Sequence, residues 1–335
     1  PAVNPSPLHT TFAGIPLASP IILAAGTCGV LDEMGEVLDL SRIGAVVTKS
    51  ITPLPREGNP TWRMIPAGAA GMLNAVGLAN PGLDAFLEHF APRAPAMKCK
   101  VFASVAGFSV DDYVRVAANL DAFSREHAGC FPALELNLSC PNVHAGVEFG
   151  ASPAACREVT SAVLAAVSTA KVFVKLGPLT PDLPAVARAA ATRRILEAPP
   201  AGAAGVTLTN TIPAMAIDVE ARRPILANTT GGLSGPALHP AVVKMVYDVA
   251  RALRTDHPHA AILGLGGVLH WRDAAEFILA GARAVQVGTG LFVNPRLPYK
   301  LNRGLEKWVR RQGRAVIGDL VGALEPARPA NVEEV

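Results

Sequence analysis

The residues of this sequence best suited to chemistry fall at the ends of apolar runs. In Leu136-Asn137-Leu138-Ser139-Cys140-Pro141-Asn142-Val143 a thiol follows a hydrophobic run, is stiffened by proline and is flanked by the amides of Asn137 and Asn142. A thiolate is a competent general base when its pKa approaches ambient pH from the free value of about 8.5. Cys28, Cys99, Cys130 and Cys156 lack such neighbours and read as small buried apolar residues. Five cysteines without a CxxC pair suggest neither a disulfide framework nor a zinc or iron–sulfur site, so no metal is expected.

Two lysines, Lys49 and Lys175, also close apolar runs. A buried lysine needs a partner or a shifted pKa, which a mere turn does not supply. In an active-site mouth it could form a Schiff base, hold a phosphate, or set positive charge beside a reduced flavin, which is anionic near N1 and O2. Schiff-base chemistry is the lesser reading, because it leaves the Cys140 segment and the amides without a role. Leu263-Gly264-Leu265-Gly266-Gly267 and Val287-Gly288-Thr289-Gly290 are glycine turns late in the chain. Such turns let backbone N–H groups approach phosphate oxygens, with a following helix N-terminus adding a favourable dipole; tight turns are the plainer alternative.

Eight short apolar or β-branched runs supply the strands that would position these groups. They are Pro20–Ala25, Ala45–Lys49, Lys100–Val105, Ala133–Leu138, Lys171–Leu176, Gly205–Asn210, Ala261–Leu265 and Ala284–Val287. Amphipathic helical patterns lie between several of them. Ser109-x-x-Asp112 opens one with a capping-box spacing, Ser152-Pro153 opens a second, and Pro240 begins a third. Eight alternations predict an α/β chain closed into a single (β/α)8 TIM barrel, rather than a doubly wound sheet, and no GxGxxG follows the first strand. Ser50–Cys99 and Thr211–Ala260 are too long for one helix and are expected to shape active-site loops at the C-terminal face. Leu196–Ala203 reads as an ordinary connection.

At 335 residues, with 17% charged, the chain suits one such domain over 1–335, with 328–335 a loose tail. A net charge of +3 without a Lys/Arg block argues against nucleic acid. Pro1–Thr11 lacks the features of a signal peptide and no run approaches the roughly 20 apolar residues of a membrane span, so a soluble, cytoplasmic protein is expected.

The Cys140 segment, Gly71-Met72-Leu73-Asn74-Ala75-Val76-Gly77-Leu78-Ala79-Asn80-Pro81-Gly82, Thr209-Asn210-Thr211, Met215-Ala216-Ile217-Asp218, Thr230-Gly231-Gly232-Leu233-Ser234-Gly235-Pro236 and Val285-Gln286-Val287-Gly288-Thr289 resemble the dihydroorotate dehydrogenase family, in order from about Leu17 to Leu305. The resemblance implies an FMN enzyme of pyrimidine (UMP) biosynthesis that oxidises dihydroorotate to orotate. Cys140 would take a proton from C5 while a hydride leaves C6 for the flavin. It implies substrate contacts from Lys49, Asn74, Ala75, Val76, Gly77, Leu78, Asn137, Asn142, Asn210 and Thr211. Flavin contacts would come from Ala25, Gly26, Lys49, Ser50, Ser104, Asn137, Lys175 and Thr209. The ribityl phosphate arm would lie at Gly235, Gly266, Gly267, Gly288 and Thr289.

A cysteine base marks the soluble class, and Asn142-Val143-x-x-Gly146-x-x-Phe149-Gly150 is similar to its NAD-linked branch. That branch implies a homodimeric core of a heterotetramer, with FAD and a [2Fe–2S] cluster on a partner subunit. Four positions depart from the branch's usual pattern: Ala25, Ser104 and the pair Gly290-Leu291. Competing readings are a dihydropyrimidine dehydrogenase-type reductase, a flavin-free barrel isomerase or lyase with a phosphorylated substrate, and a non-catalytic flavin carrier.

Overall fold

The computed structural model describes residues 6–139, 149–192 and 202–326. Its centre is the expected closed ring of parallel strands: β1 (Ile21–Leu23), β2 (Ala45–Val47), β3 (Lys100–Val105), β4 (Ala133–Asn137), β5 (Lys171–Leu176), β6 (Gly205–Leu208), β7 (Ala261–Leu265) and β8 (Ala284–Val287) pair successively, and β8 returns to β1. The chain is a (β/α)8 barrel. Several strands end before the expected polar residues. Lys49 N–H donates to the Val30 carbonyl, and Asn210 N–H to that of Leu176, so these residues turn over the mouth instead of extending the ladder.

Around the ring run α1 (Leu83–His89), α2 (Val110–Glu126), α3 (Pro153–Ala166), α4 (Leu183–Ala191), α5 (His239–Asp256), α6 (Trp271–Ala280), α7 (Gly290–Val293) and α8 (Leu297–Arg311). The caps follow the sequence. Ser152 Oγ accepts from Ala155 N–H, and Ser109 Oγ from Asp112 N–H. Asp112 reaches back to Phe108 N–H, one residue earlier than a strict capping box requires.

Alternation along each strand builds two cores. Leu134, Leu136, Val172 and Val174 face outward against Val116, Leu120, Val159 and Val163 of the helices. Inward lie Phe102, Ala133, Phe173 and Leu263, joined by Phe12. Phe12 belongs to a hairpin, Thr10–Phe12 with Ile15–Leu17, and its ring stacks on Phe173 at 4.5 Å between centroids. The hairpin thereby plugs the end opposite the strand C-termini. Above this apolar plug the inward positions become polar: Ser104, Glu135, Asn137, Lys175, Thr207 and Gln286 are all buried.

The two long excursions meet as expected at the C-terminal face, and there they form a sheet. Ile212–Ala214, Gly231–Ser234, Gly71–Asn74 and Met64–Ala67 pair antiparallel in that spatial order, with Gly232 opposite Asn74. A segment from each excursion therefore supplies the central pair of a wall over the barrel mouth. Among the described residues no helix is long and apolar enough to cross a membrane. Most of Leu196–Ala203, and the tail 328–335, lie outside the described residues.

Candidate active site

The barrel mouth and the accessory sheet enclose a cavity of about 330 Å³. Both chemically interesting lysines line it, on different walls. Lys175, the fifth residue of β5, is 6% exposed, and its ammonium lies 3.9 Å from Glu135 Oε1. This is the partner that a buried lysine requires. Lys49, just past β2, is half-buried, with Nζ over the Gly26 backbone: a Cβ at Gly26 would sit 3.6 Å from it.

Asparagines occupy the space between the lysines. Asn137 ends β4; its Nδ2 donates to Ser50 Oγ at 3.3 Å, and its Oδ1 accepts from Asn210 Nδ2 at 3.3 Å. Asn210 Nδ2 also donates to the Ser139 carbonyl at 2.8 Å, while Asn210 Oδ1 accepts from Thr211 N–H. Asn74 comes from the accessory sheet, donating to the Gly232 carbonyl at 3.3 Å. Three amides from separate segments thus converge on one cavity, able to match the alternating donors and acceptors of a planar heterocycle. Val76, Gly77 and Leu78 complete that wall, as do Thr209 and Thr211 on the opposite side.

At the other end the lining is mostly glycine. Gly235, Gly266, Gly267 and Gly288, with Thr289, surround an annex of the same cavity, and Ala25 and Gly26 line the cavity beside Lys49. Gly267 has φ +69°, and a Cβ there would lie 2.7 Å from the Gly235 carbonyl and 3.0 Å from Pro236 Cα. Gly235 has φ +115° and approaches Gly71 equally closely. Only glycine fits these two positions without backbone movement. Gly288 is different, since a Cβ there would make ordinary contacts at 3.6 Å or more. Thr289 Oγ1 donates to Ser234 Oγ, tying β8 to the accessory sheet.

Two of the residues singled out in the sequence do not line the cavity. Ser104 is fully buried one layer deeper, where its Oγ pairs with Ser50 Oγ at 2.9 Å. Ala75 turns into the small cluster of Leu73 and Leu226, because its neighbours Asn74 and Val76 take the cavity side. Cys140 and Asn142 lie outside the described residues. The last residue before Cys140, Ser139, is held by Asn210 and by its own Oγ donating to the Lys175 carbonyl.

Of the remaining thiols, Cys28 and Cys156 are buried as expected, whereas Cys99 and Cys130 are only partly buried. Burial, aided by the nearby Glu33 carboxylate, pushes Cys28 up to about 12. Burial does the same for Cys99 and Cys156, and raises Cys130. These four stay protonated at neutral pH, and none serves as a base there.

Sequence reasoning passed over Glu135, Thr207 and Gln286. Glu135 Oε2 accepts from Thr207 Oγ1 at 2.8 Å and from Gln286 Nε2 at 2.6 Å, inside the barrel. A signal existed: Glu135 is in phase with Asn137 on a strand of period two, and Gln286 is the lone amide in an apolar run. Arg63, Met64, Met72 and Phe292 also line the cavity, and nothing in their spacing announced it. Among the described residues no group of three His, Cys, Asp or Glu side chains could hold a metal ion.

A closed (β/α)8 barrel whose mouth joins two ammonium groups, three amides and a run of glycines around one cavity has the architecture of a barrel-class enzyme, with its candidate site at the strand C-termini. More specifically, the chain belongs to the dihydroorotate dehydrogenase family, whose profile matches residues 7–309. It is 42% identical over 319 residues to the dihydroorotate dehydrogenase B (NAD(+)) catalytic subunit of Trichlorobacter lovleyi, covering 95% of this chain and 98% of that one. The corresponding subunit of Phocaeicola vulgatus is 40% identical, with 95% and 99% covered. A crystal structure of DHODH from Eimeria tenella in complex with ferulenol superposes with a TM-score of 0.74 at 23% identity, covering 96% of this chain and 89% of that one. At that identity the likeness concerns the fold alone.

Proposed function

We propose that this chain oxidises (S)-dihydroorotate to orotate in pyrimidine biosynthesis, with FMN in the cavity and Cys140 as the general base. The observation that carries the reading is the meeting of Lys49, Lys175 and three asparagines with a glycine-lined annex in one cavity. The residues suit FMN. Gln286 borders the cavity, and its buried Oε1 accepts no hydrogen bond among the described residues. Gly235 and Gly267, at positive φ and packed against neighbouring backbone, turn the chain sharply beside the cavity, where backbone N–H groups would be able to take up a phosphate.

Bound FMN supplies the acceptor for the hydride leaving substrate C6. The chain does the rest. Asn74, Asn137 and Asn210 hydrogen-bond the edge of the pyrimidine, with Thr211 beside them, and Lys49 draws the carboxylate. Lys175 would hold positive charge beside the ring. Cys140, entering as thiolate, removes the C5 proton. The accessory sheet covers the mouth and excludes water, which strengthens each of these electrostatic contacts.

The names of the relatives support the NAD-linked branch, in which electrons pass to a partner subunit bearing FAD and a [2Fe–2S] cluster. Two copies of this chain would form the core of that complex.

Purified protein reconstituted with FMN should oxidise dihydroorotate and leave uracil and dihydrouracil unchanged. Turnover of the carboxylate-free pyrimidines alone would refute the substrate assignment. Cys140→Ala should abolish turnover at neutral pH while FMN stays bound, and Cys140→Ser should keep a small activity that climbs with pH. Near-normal turnover in the alanine variant would remove Cys140 from its role. NAD reduction should require the iron–sulfur flavoprotein partner.

A further inference from the structure

Resting on the reading of this cavity as an FMN site, we propose that Glu135 is a positioning residue. It fixes the Lys175 ammonium at the cavity floor and offsets its charge, and so holds down the reduction potential of the bound ring.

Glu135 points into the barrel from the middle of β4 and is 1% exposed. Below it the interior is hydrocarbon: Phe102, Phe173 and Leu263. A carboxylate in such surroundings is costly unless its oxygens are satisfied and its charge is met. Oε2 is satisfied twice, by the Thr207 hydroxyl and the Gln286 amide. These donors come from β6 and β8, neither of which pairs with β4, so the carboxylate is fixed from two further points of the ring. Oε1 accepts no hydrogen bond among the described residues and faces the Lys175 ammonium at 3.9 Å. That separation leaves an ion pair without a direct hydrogen bond, and the ammonium keeps its donors for the cavity.

The order of these groups is what gives Glu135 an effect on the flavin. Lys175 and Gln286 line the cavity, whereas Glu135 stands behind both and does not. A lone ammonium at the floor would favour the anionic reduced ring strongly. A carboxylate behind it opposes that pull in a region of low effective dielectric, where charges act at a distance. Glu135 is thus placed to keep the ring reducing enough to pass electrons onward.

The test is redox titration of FMN-loaded protein against a reference dye. Glu135→Gln keeps the shape and can still bond Thr207 and Gln286, but it lacks the charge. It should raise the reduced-to-oxidised ratio at fixed potential at least tenfold, about 30 mV for a two-electron couple. Glu135→Asp, which keeps the charge but withdraws it by one methylene, should shift the ratio in the same sense by less. This second variant decides the matter if Glu135→Gln does not fold. In flavin-free protein, Lys175→Met should destabilise wild type more than it destabilises the Glu135→Gln background, because it strands the carboxylate only in the former.

Lower thermal stability with an unmoved potential would overturn the proposal and leave Glu135 a structural residue. Additive effects in the flavin-free cycle would overturn it as well. Failure of wild-type protein to take up FMN would sink the reading of the cavity and this inference with it. Uptake with an unchanged potential in both Glu135 variants sinks this inference alone.

Discussion

At the scale of single residues, the annex separates glycines that are required from one that is not. Gly267→Ala forces a Cβ against the Gly235 carbonyl at a positive φ, and backbone atoms there have no easy retreat. FMN affinity should fall at least tenfold, measured by fluorescence quenching on titration of flavin-free protein. Gly288→Ala, whose Cβ meets only ordinary contacts, should cost far less. Equal losses would mean the annex does not grip the phosphate through Gly267. The sequence identified both glycines by position without ranking them, because rank depends on a carbonyl 32 residues away. The lysines were legible for a physical reason: a cation ending an apolar strand demands a partner. The partner of Lys175 was not. Glu135 is embedded in a run otherwise dominated by leucine and alanine, and its role appears only when Thr207 and Gln286 arrive from other strands.

At the scale of elements, the eight strands could be read because each is a short, mainly apolar run whose outward face is covered by helices, the inward polar residues being confined to the mouth. The accessory strands could not. Gly71–Asn74 and Gly231–Ser234 are four residues each; each has a local partner, Met64–Ala67 and Ile212–Ala214, but the sheet is completed only by pairing across 158 residues, Asn74 to Gly232. The hairpin was hidden for a similar reason: its turn is Ala13-Gly14, with both residues at positive φ, where Asn-Gly would have announced it.

One element joint has a measurable energy. Asp121 of α2 is buried and accepts from the N–H groups of Ser168, Thr169 and Ala170, and from the Thr169 hydroxyl, pinning the turn into β5. Burial alone would raise its pKa, but these donors outweigh burial and hold it below the ordinary 3.8. A carboxyl depressed in the folded state stabilises the fold above its unfolded pKa and loses that contribution as pH falls through the folded value. Asp121→Asn should therefore cost about 2–3 kcal/mol at neutral pH by urea denaturation. The difference from wild type should shrink below the ordinary carboxylate range. A gap that persists unchanged into acid would show that shape, not charge, holds the joint.

At the scale of the whole molecule, the two ends of the barrel differ in what holds them. The hairpin end is closed by aromatic stacking around a fully buried Phe12. The accessory sheet at the other end rests on a buried cluster of three residues, Leu73, Ala75 and Leu226, and leaves Met64 and Met215 exposed. Elements with so little buried apolar contact open locally at low free energy. The same sheet forms a wall of the cavity, so a ligand there should stabilise it out of proportion to the rest. FMN at a hundred times its Kd should add about 2.7 kcal/mol to global stability. Beyond that common shift, amide hydrogen exchange should slow most over Gly71–Asn74 and Gly231–Ser234, and least in Thr10–Phe12 of the hairpin. This pattern follows from the central strand pair, one from each excursion, closing over one site: neither strand can leave without opening the cavity. Uniform slowing across both ends would mean the sheet is already rigid without ligand. Protection concentrated at the hairpin would place the ligand somewhere other than the mouth.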